Sequence, residues 1–360
     1  MPQAVHVQKD ELATTHIADI DHGTLPDGAV RLEIESFSVT ANNITYAVVG
    51  DGFGYWNFFP AADGHGIVPM WGHAKVIESN HAEIDVGERV YGYLPMATHL
   101  DVVPDNVSKS GFVDSAAHRK PMSPIYNQYS RLAADPEHDP ARENERMIFG
   151  PLFKTGFLIE YFMRNETWFG ARQVILTSAS SKTALGLAAV ARQRSPEVRR
   201  IGLTSASNVD FVQGTGLYDA VVAYSDIGSL GHDASVTVDF AGNAGLLAEL
   251  HRHFGDALKY SCLVGATHVE QRGGGQASTG DLPGPTPTLF FAPDHAVALF
   301  KELGPEGAGR QIAESWHYFL DVVGATVTVD TRKGLEAART AYLEILGGTV
   351  DPSVGIVIEP

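Results

Sequence analysis

Ser178-Ala179-Ser180-Ser181-Lys182-Thr183-Ala184 stands between an apolar run, QVILTS, and a helix-forming run, LGLAAVAR. Small hydroxylated side chains at such a crossing let a ligand approach backbone amides, and a helix N-terminus there favours an anion. The turn is therefore a candidate seat for a pyrophosphate. Its plainer reading is a helix N-cap supplied by Ser180 or Ser181. Ser181-Lys182-Thr183 also has the order of the end of a P-loop, but the upstream glycines of that cradle are missing, which disfavours nucleoside triphosphate chemistry. Two further groups, Asp239-Phe240-Ala241-Gly242-Asn243 and Gly265-Ala266-Thr267-His268, stand at expected strand ends, where ligands meet parallel sheets, although Gly242 and Gly265 could equally just end strands. Donors able to stabilise an oxyanion come from Asn43 and Tyr46 in the loop Thr40–Tyr46, from Tyr55 in GDGFGYWNFFPAADGHG (50–66) and from Tyr126 beside Asn127. The competing reading of Tyr46 is a packed ring with a satisfied hydroxyl. Segment 50–66 reads as a pocket wall or lid, or else as a packed loop core or dimer contact.

Several chemistries lack their residues. One cysteine, Cys262, leaves no disulfide framework, CxxC pair or thiolate-rich zinc site. Neither a GxSxG elbow nor an HExxH pair occurs, so hydrolase readings have no nucleophile or metal. With 26 Lys and Arg against 43 Asp and Glu, the net charge of −17 disfavours nucleic acid as a partner. The N-terminal stretch has no basic segment followed by an apolar run and no stretch approaches a membrane span, so the expectation is a cytoplasmic chain without a membrane partner.

The elements that must position these residues fall into three textures. From about Ala29 to Val103, short β-like runs are broken by turns, and Val30, Leu32 and Ile34 alternate with Arg31, Glu33 and Glu35 as in a half-buried strand. A polar, proline-punctuated connection follows, then a helix from Pro151 to Met163. Between Arg172 and Gly265, apolar strands near 173–178, 199–205, 218–226, 235–242 and 260–268 alternate with helices at 181–193 and 244–254. Such a series specifies a parallel sheet covered on both faces. The fold class is α/β, a doubly wound Rossmann-type sheet plus a β-rich barrel-like domain. The expected organisation is a β-rich domain over 1–150, a nucleotide-binding domain over 151–292 and a return segment, 293–360, whose last strand (Val354, Ile356, Ile358) rejoins the β-rich domain.

Several segments together resemble the medium-chain dehydrogenase/reductase superfamily, nearest its zinc-free quinone oxidoreductase branch. GFLIEYFMRNETWFGARQVILTSASSKTALGLAAVAR is similar to that branch's helix, GxxVLV strand and ASGGVG turn, with Ser181, Lys182 and Ala184 in place of glycines. LPDGAVRLEIESFSVTANNITYAVVG resembles the opening strand and its Asn-rich loop, GERVYGY the GDRV turn, and LEAARTAYLEILGGTVDPSVGIVIE the closing helix and strand. The likeness spans most of the chain and marks a divergent subgroup. It implies a GroES-like β-rich domain, a nicotinamide cofactor and a homodimer joined near Thr286–Ala292. It also places Asn43 and Tyr46 where similar enzymes face the nicotinamide. Gly72-His73 matches the start of the GHE element, but Ala74 replaces the Glu, so a catalytic zinc is not expected. The end of the second strand offers Thr204, Ser205, Ser207 and Asn208 where NAD-preferring folds present a carboxylate, and Lys182, Arg199 and Arg200 are candidate cations, so NADP(H) is the expected cofactor. The resulting expectation is a zinc-independent NADP(H) oxidoreductase acting on a carbonyl or activated alkene in a small, moderately apolar substrate. The alternative is a non-redox lyase or a ligand-binding protein on the same scaffold.

Overall fold

Near-continuous apolar runs have no polar face to give to water, and between Gln173 and Leu263 they form strands covered on both sides. The computed structural model describes residues 1–264 and 282–360. The chain divides into two units, one comprising Met1–Ile148 and Thr328–Pro360, the other Phe149–Val327. The second holds a six-stranded parallel sheet whose spatial order is Ala220–Ala223, Arg199–Thr204, Gln173–Leu176, Ser235–Asp239, Leu258–Leu263, Thr288–Leu289. In chain order this is 3-2-1-4-5-6, the order of dinucleotide-binding sheets, with its switch point between the strands Gln173–Leu176 and Ser235–Asp239. Cys262, on the fifth strand, is fully buried.

Helix Lys182–Arg194 is buried along most of its length, and helix Glu143–Asn165 lies against it backbone to backbone. A side chain at Gly156 would put its Cβ 2.5 Å from the Leu187 nitrogen. The long helical segment Ala292–Val323 covers the same region, with Phe153, Trp316 and Phe319 in mutual ring contact. That segment belongs to the nucleotide-type unit, so the return to the β-rich unit begins at Thr328 rather than at 293.

In the β-rich unit, strand Val30–Val39 buries Val30, Leu32 and Ile34 while Arg31, Glu33 and Glu35 stay at least partly in solvent, as alternation requires. It is flanked by Pro69–Ser79 on one side and by the C-terminal strand Val354–Glu359 on the other, with Ile356 opposite Val39 and Ile358 opposite Phe37. Strand Thr328–Lys333 runs parallel to the C-terminal strand, while Arg89–Pro95, Gln128–Arg131 and Gly111–Asp114 extend the sheet beyond Pro69–Ser79. The hairpin Gln3–Gln8/Glu11–Asp19 makes a smaller sheet with the two-residue strand His65–Gly66.

Helix Glu143–Asn165 starts eight residues before the expected Pro151, with Glu143 and Glu145 in its first turn where the helix dipole favours acids. Pro151 lies inside it and has no N–H to give the Met147 carbonyl. Ser38 supplies the missing donor, its buried hydroxyl standing 2.6 Å from that carbonyl. His73, on Pro69–Ser79, is fully buried, and among the described residues neither ring nitrogen has a hydrogen-bond partner. Burial lowers its pKa to about 3, against the pull of Glu143 and with the help of Arg146, Arg89 and His138.

Two expectations follow. Replacing Ser38 by Ala leaves the Met147 carbonyl without its donor and lowers stability by about 1–3 kcal/mol in urea unfolding. Because His73 is neutral when folded but takes up a proton near its ordinary pKa of 6.5 when unfolded, its contribution is complete above 6.5 and is lost as pH falls towards 3. His73→Leu therefore flattens the stability profile in that window, by up to about 1.4 kcal/mol per pH unit.

Candidate functional site

At the carboxyl end of the parallel sheet, three of the expected segments meet. After the first strand, Thr177 donates its hydroxyl proton to Asp239 Oδ1 across the switch point, at 2.6 Å. The same hydroxyl oxygen accepts from the amides of Phe240 and Ala241 at 2.9 and 3.1 Å, while Asp239 Oδ1 accepts from Ala241 and Gly242 at 3.0 and 3.3 Å. Thr177 and Asp239 are both buried, so this arrangement fixes the backbone of 240–242 with little freedom. Gly242 has a φ of 65°, and Asn243 caps the next helix, Ala244–Phe254, by accepting from the Leu246 amide at 3.0 Å.

The turn that follows Thr177 is held from the second and third strands. Ser178 has a φ of 45°, a left-handed backbone that favours glycine. Its amide donates to the Tyr224 hydroxyl at 2.9 Å. The Ala179 amide donates to the Leu203 carbonyl at 3.0 Å, and the Ala179 carbonyl accepts from the Tyr218 hydroxyl at 2.8 Å. Ser180 accepts from the Asn208 side chain at 3.2 Å, which joins the turn to the segment after the second strand, where Thr204 is buried and the Ser205 and Ser207 hydroxyls are 3.0 Å apart. Ser181 is the N-cap, accepting from the Ala184 amide at 3.3 Å. Lys182 and Thr183 are the first two residues of the helix and are half-buried. Gly265, Ala266 and Thr267 lie outside the described residues.

Two cations expected near this turn are elsewhere. Arg199 and Arg200 begin their strand, about 16 and 13 Å from the end where the turn lies at ~3.3 Å per residue. Arg200 is buried there on the Leu217 and Val198 carbonyls and the Asp219 carboxylate. Arg199 is exposed, 4.0 Å from Asp233. Tyr224 is the residue that sequence reasoning passed over. It directly follows the third strand, and the strand-end rule applied to AVVAYSD would have marked it.

The tyrosines collect in the β-rich unit. Thr40–Tyr46 is the entry of a helix, Ala41–Val48, rather than a loop. Buried Asn43 accepts from the Thr40 amide and donates to the Pro69 carbonyl, both at 2.7 Å, so its amide group serves the fold at both ends. Tyr46 accepts from the Asn42 amide at 2.6 Å and the Trp71 indole at 3.1 Å. With both acceptor positions used, its remaining capacity is to donate. Tyr55 and Tyr126 share a hydrogen bond of 3.0 Å, and Tyr46, Tyr55 and Tyr126 all lie within ring contact of one another. Tyr93 packs its ring against Tyr46 and Tyr126. Burial raises the pKa of all four phenols, so they act as neutral donors.

The aromatic segment 50–66 is a packed loop core for four of its five rings: Tyr55, Trp56, Phe58 and Phe59 are buried and Phe53 is exposed. Trp56 lies between Gly50 and Gly66, at either of which a Cβ would come within 2.2 Å of the indole. Behind these rings sits Arg119, fully buried. Its guanidinium is 5.3 and 5.2 Å from the ring centres of Phe58 and Phe59, and donates to Asn127 Oδ1, the Tyr126 carbonyl and the Tyr129 hydroxyl. Asp114, equally buried, stands 3.4 Å from it.

Similar structures share this architecture. CurA from Vibrio vulnificus in complex with NADPH has 13% identity, covers 99% of this chain and 98% of its own, and superposes with a TM-score of 0.62. The yhdH oxidoreductase from Salmonella enterica in complex with NADP has 13% identity, 99% coverage of both chains and a TM-score of 0.54. A putative NADPH:quinone reductase from Bacillus thuringiensis has 12% identity, 100% and 99% coverage, and a TM-score of 0.57. The fold is thus that of the medium-chain dehydrogenase/reductases, a Rossmann-type sheet with a GroES-like β-rich unit. No curated protein matches the sequence. Residues 37–351 match the family described as "Protein of unknown function (DUF2855)", and across that span the chain belongs to this family.

Proposed function

We propose that the protein is an NADP(H)-dependent oxidoreductase whose substrate is a small, moderately apolar molecule with a carbonyl or activated alkene, and that it works without a catalytic zinc. The observation that carries this reading is the convergence of segments 178–183, 204–208 and 239–243 on the switch point of a 3-2-1-4-5-6 sheet. The residues fit a dinucleotide. Side chains from Ser178 to Ser181 are small, the helix begins at Lys182, and no carboxylate occupies 204–208 to repel a 2′-phosphate. The solved structures that share the fold include complexes with NADPH and with NADP. Cys262 is buried in the sheet, its thiol pushed up by burial and then by Asp239, and His73 is enclosed, so neither is presented as an open zinc ligand.

When bound, the nicotinamide supplies or accepts the hydride. The chain's own residues do the rest. The amides of Ser180 and Thr183 and the hydroxyls of Ser180, Ser181 and Thr183 would hold the pyrophosphate, Lys182 would meet the 2′-phosphate, and Tyr224 braces the turn through Ser178. Tyr126, half-buried and backed by the Tyr55 hydroxyl, donates to the substrate oxygen as negative charge develops there. One observation favours the non-redox lyase or binding-protein alternative: a serine rather than a glycine holds the left-handed position at Ser178, and a tyrosine hydroxyl already takes its amide.

A homodimer is part of the proposal. Among the described residues Thr288–Leu289 is the last strand of the sheet, and Leu289 on it and Val297 and Phe300 on the following helical segment are exposed, apolar surface that a second copy would cover.

Titration with NADPH, followed by cofactor fluorescence, is expected to saturate in the micromolar range. No binding at high micromolar cofactor overturns the redox reading. Lys182→Ala is expected to weaken NADPH about tenfold while changing NADH little, the loss of one charge-assisted hydrogen bond. Equal weakening of both cofactors removes Lys182 from the 2′-phosphate. Light scattering is expected to give twice the chain mass, and Leu289→Glu to give the monomer.

A further inference from the structure

The N-terminal sheet carries a group of side chains that this function does not use. His6 lies directly opposite His16 in the hairpin, and His65 lies opposite Gln8 on the neighbouring short strand. Paired residues, and residues two apart on one strand, share a face, so the three imidazoles stand together on one side of the sheet. Their ring centres are 5.4 Å (His6–His16), 5.1 Å (His16–His65) and 6.2 Å (His6–His65) apart. Around a tetrahedral ion with metal–nitrogen bonds of about 2.0–2.1 Å, three imidazole centres lie about 5 Å from each other.

We propose that His6, His16 and His65 form a binding site for a divalent ion that prefers imidazole ligands, Zn²⁺ above all, separate from any catalytic centre. His65 has one ring nitrogen engaged by the backbone. Its Nδ1 is 3.1 Å from the Asp63 carbonyl, which can only accept, so the ring's proton is on Nδ1 and Nε2 keeps its lone pair. His16 is exposed and the other two are half-buried, leaving the outer side open for a water ligand. The hairpin and the segment before His65 carry four carboxylates, Asp10, Glu11, Asp19 and Asp63, against one cation, Lys9, so an added positive charge is offset. Among the described residues no three ligating atoms yet surround a single point, so capture requires the rings to turn about their side-chain bonds while the strands stay in place. An all-imidazole set selects Zn²⁺, Cu²⁺ or Ni²⁺ over Mg²⁺ and Ca²⁺. Through His65 and its neighbour Gly66, against which Trp56 packs, the ion would tie the N-terminal hairpin to the aromatic segment.

The test is calorimetric titration of the full chain, prepared without a polyhistidine tag, with ZnCl₂, alongside thermal unfolding with Zn²⁺ and with EDTA. One saturable Zn²⁺ per chain, a rise in Tm that EDTA reverses, and a loss of affinity of at least about tenfold in both His16→Ala and His6→Gln are expected. His232→Ala, at a separate stacked pair with His253, serves as the control and is expected to change nothing. The absence of a saturable site, or equal affinity in His16→Ala and the parent, overturns the proposal and leaves the three rings as a stacking cluster. Neither result depends on whether NADPH binds.

Discussion

The bond between Thr177 and Asp239 is the constraint on which the nucleotide-type unit turns. It spans the one place in the parallel sheet where strand order reverses, and it does so with buried polar groups that also take the amides of Phe240, Ala241 and Gly242. A buried carboxylate without donors would cost several kcal/mol, whereas one that accepts several hydrogen bonds makes its surroundings rigid. Ordered backbone at this point lets a serine-lined turn keep a defined shape without the glycines that usually shape it. Contacts from Tyr224, Leu203, Tyr218 and Asn208 hold the same turn from the neighbouring strands.

Arg119 has the corresponding role among the aromatic side chains. A guanidinium removed from water is tolerated only when nearly all its donors are met, and here Asn127, Tyr126, Tyr129 and Asp114 meet them while Phe58 and Phe59 lie against its faces. One cation thereby sets the position of the chain on both sides of the tyrosine group. Removing it would leave the buried Asp114 carboxylate with only the Val103 and Ala116 amides as donors, which makes the pair a determinant of loop geometry more than a source of net stability.

Much of this was legible in the sequence because it follows from pattern. The alternation of Val30, Leu32 and Ile34 gave the face of a strand, the run QVILTS its burial on both faces, and the serines after it a helix cap, which Ser181 provides. What was not legible depends on partners far along the chain. Asn-rich, β-branched text hid the helix Ala41–Val48, which Asn43 secures by bonding to Pro69. Pro151 argued for a helix start, and only Ser38, 113 positions earlier, lets the helix run through it. Arg199 and Arg200 looked close to a phosphate in sequence, yet the direction of their strand places them at its opposite end. The histidines at 6, 16 and 65 have no common spacing, and only strand register brings them together.

The discontinuity of the β-rich unit has a consequence for biosynthesis. As the nascent chain leaves the ribosome, Val30–Val39 emerges well before the neighbour it needs on one side, Val354–Glu359, which is translated only after residues 149–327. Residues 149–327 contain every strand of their own sheet and can complete it first, while the earlier segment waits with an unpaired strand border. Exposed charges on that waiting strand, Glu33 foremost, would discourage premature pairing between neighbouring polypeptides on a polysome.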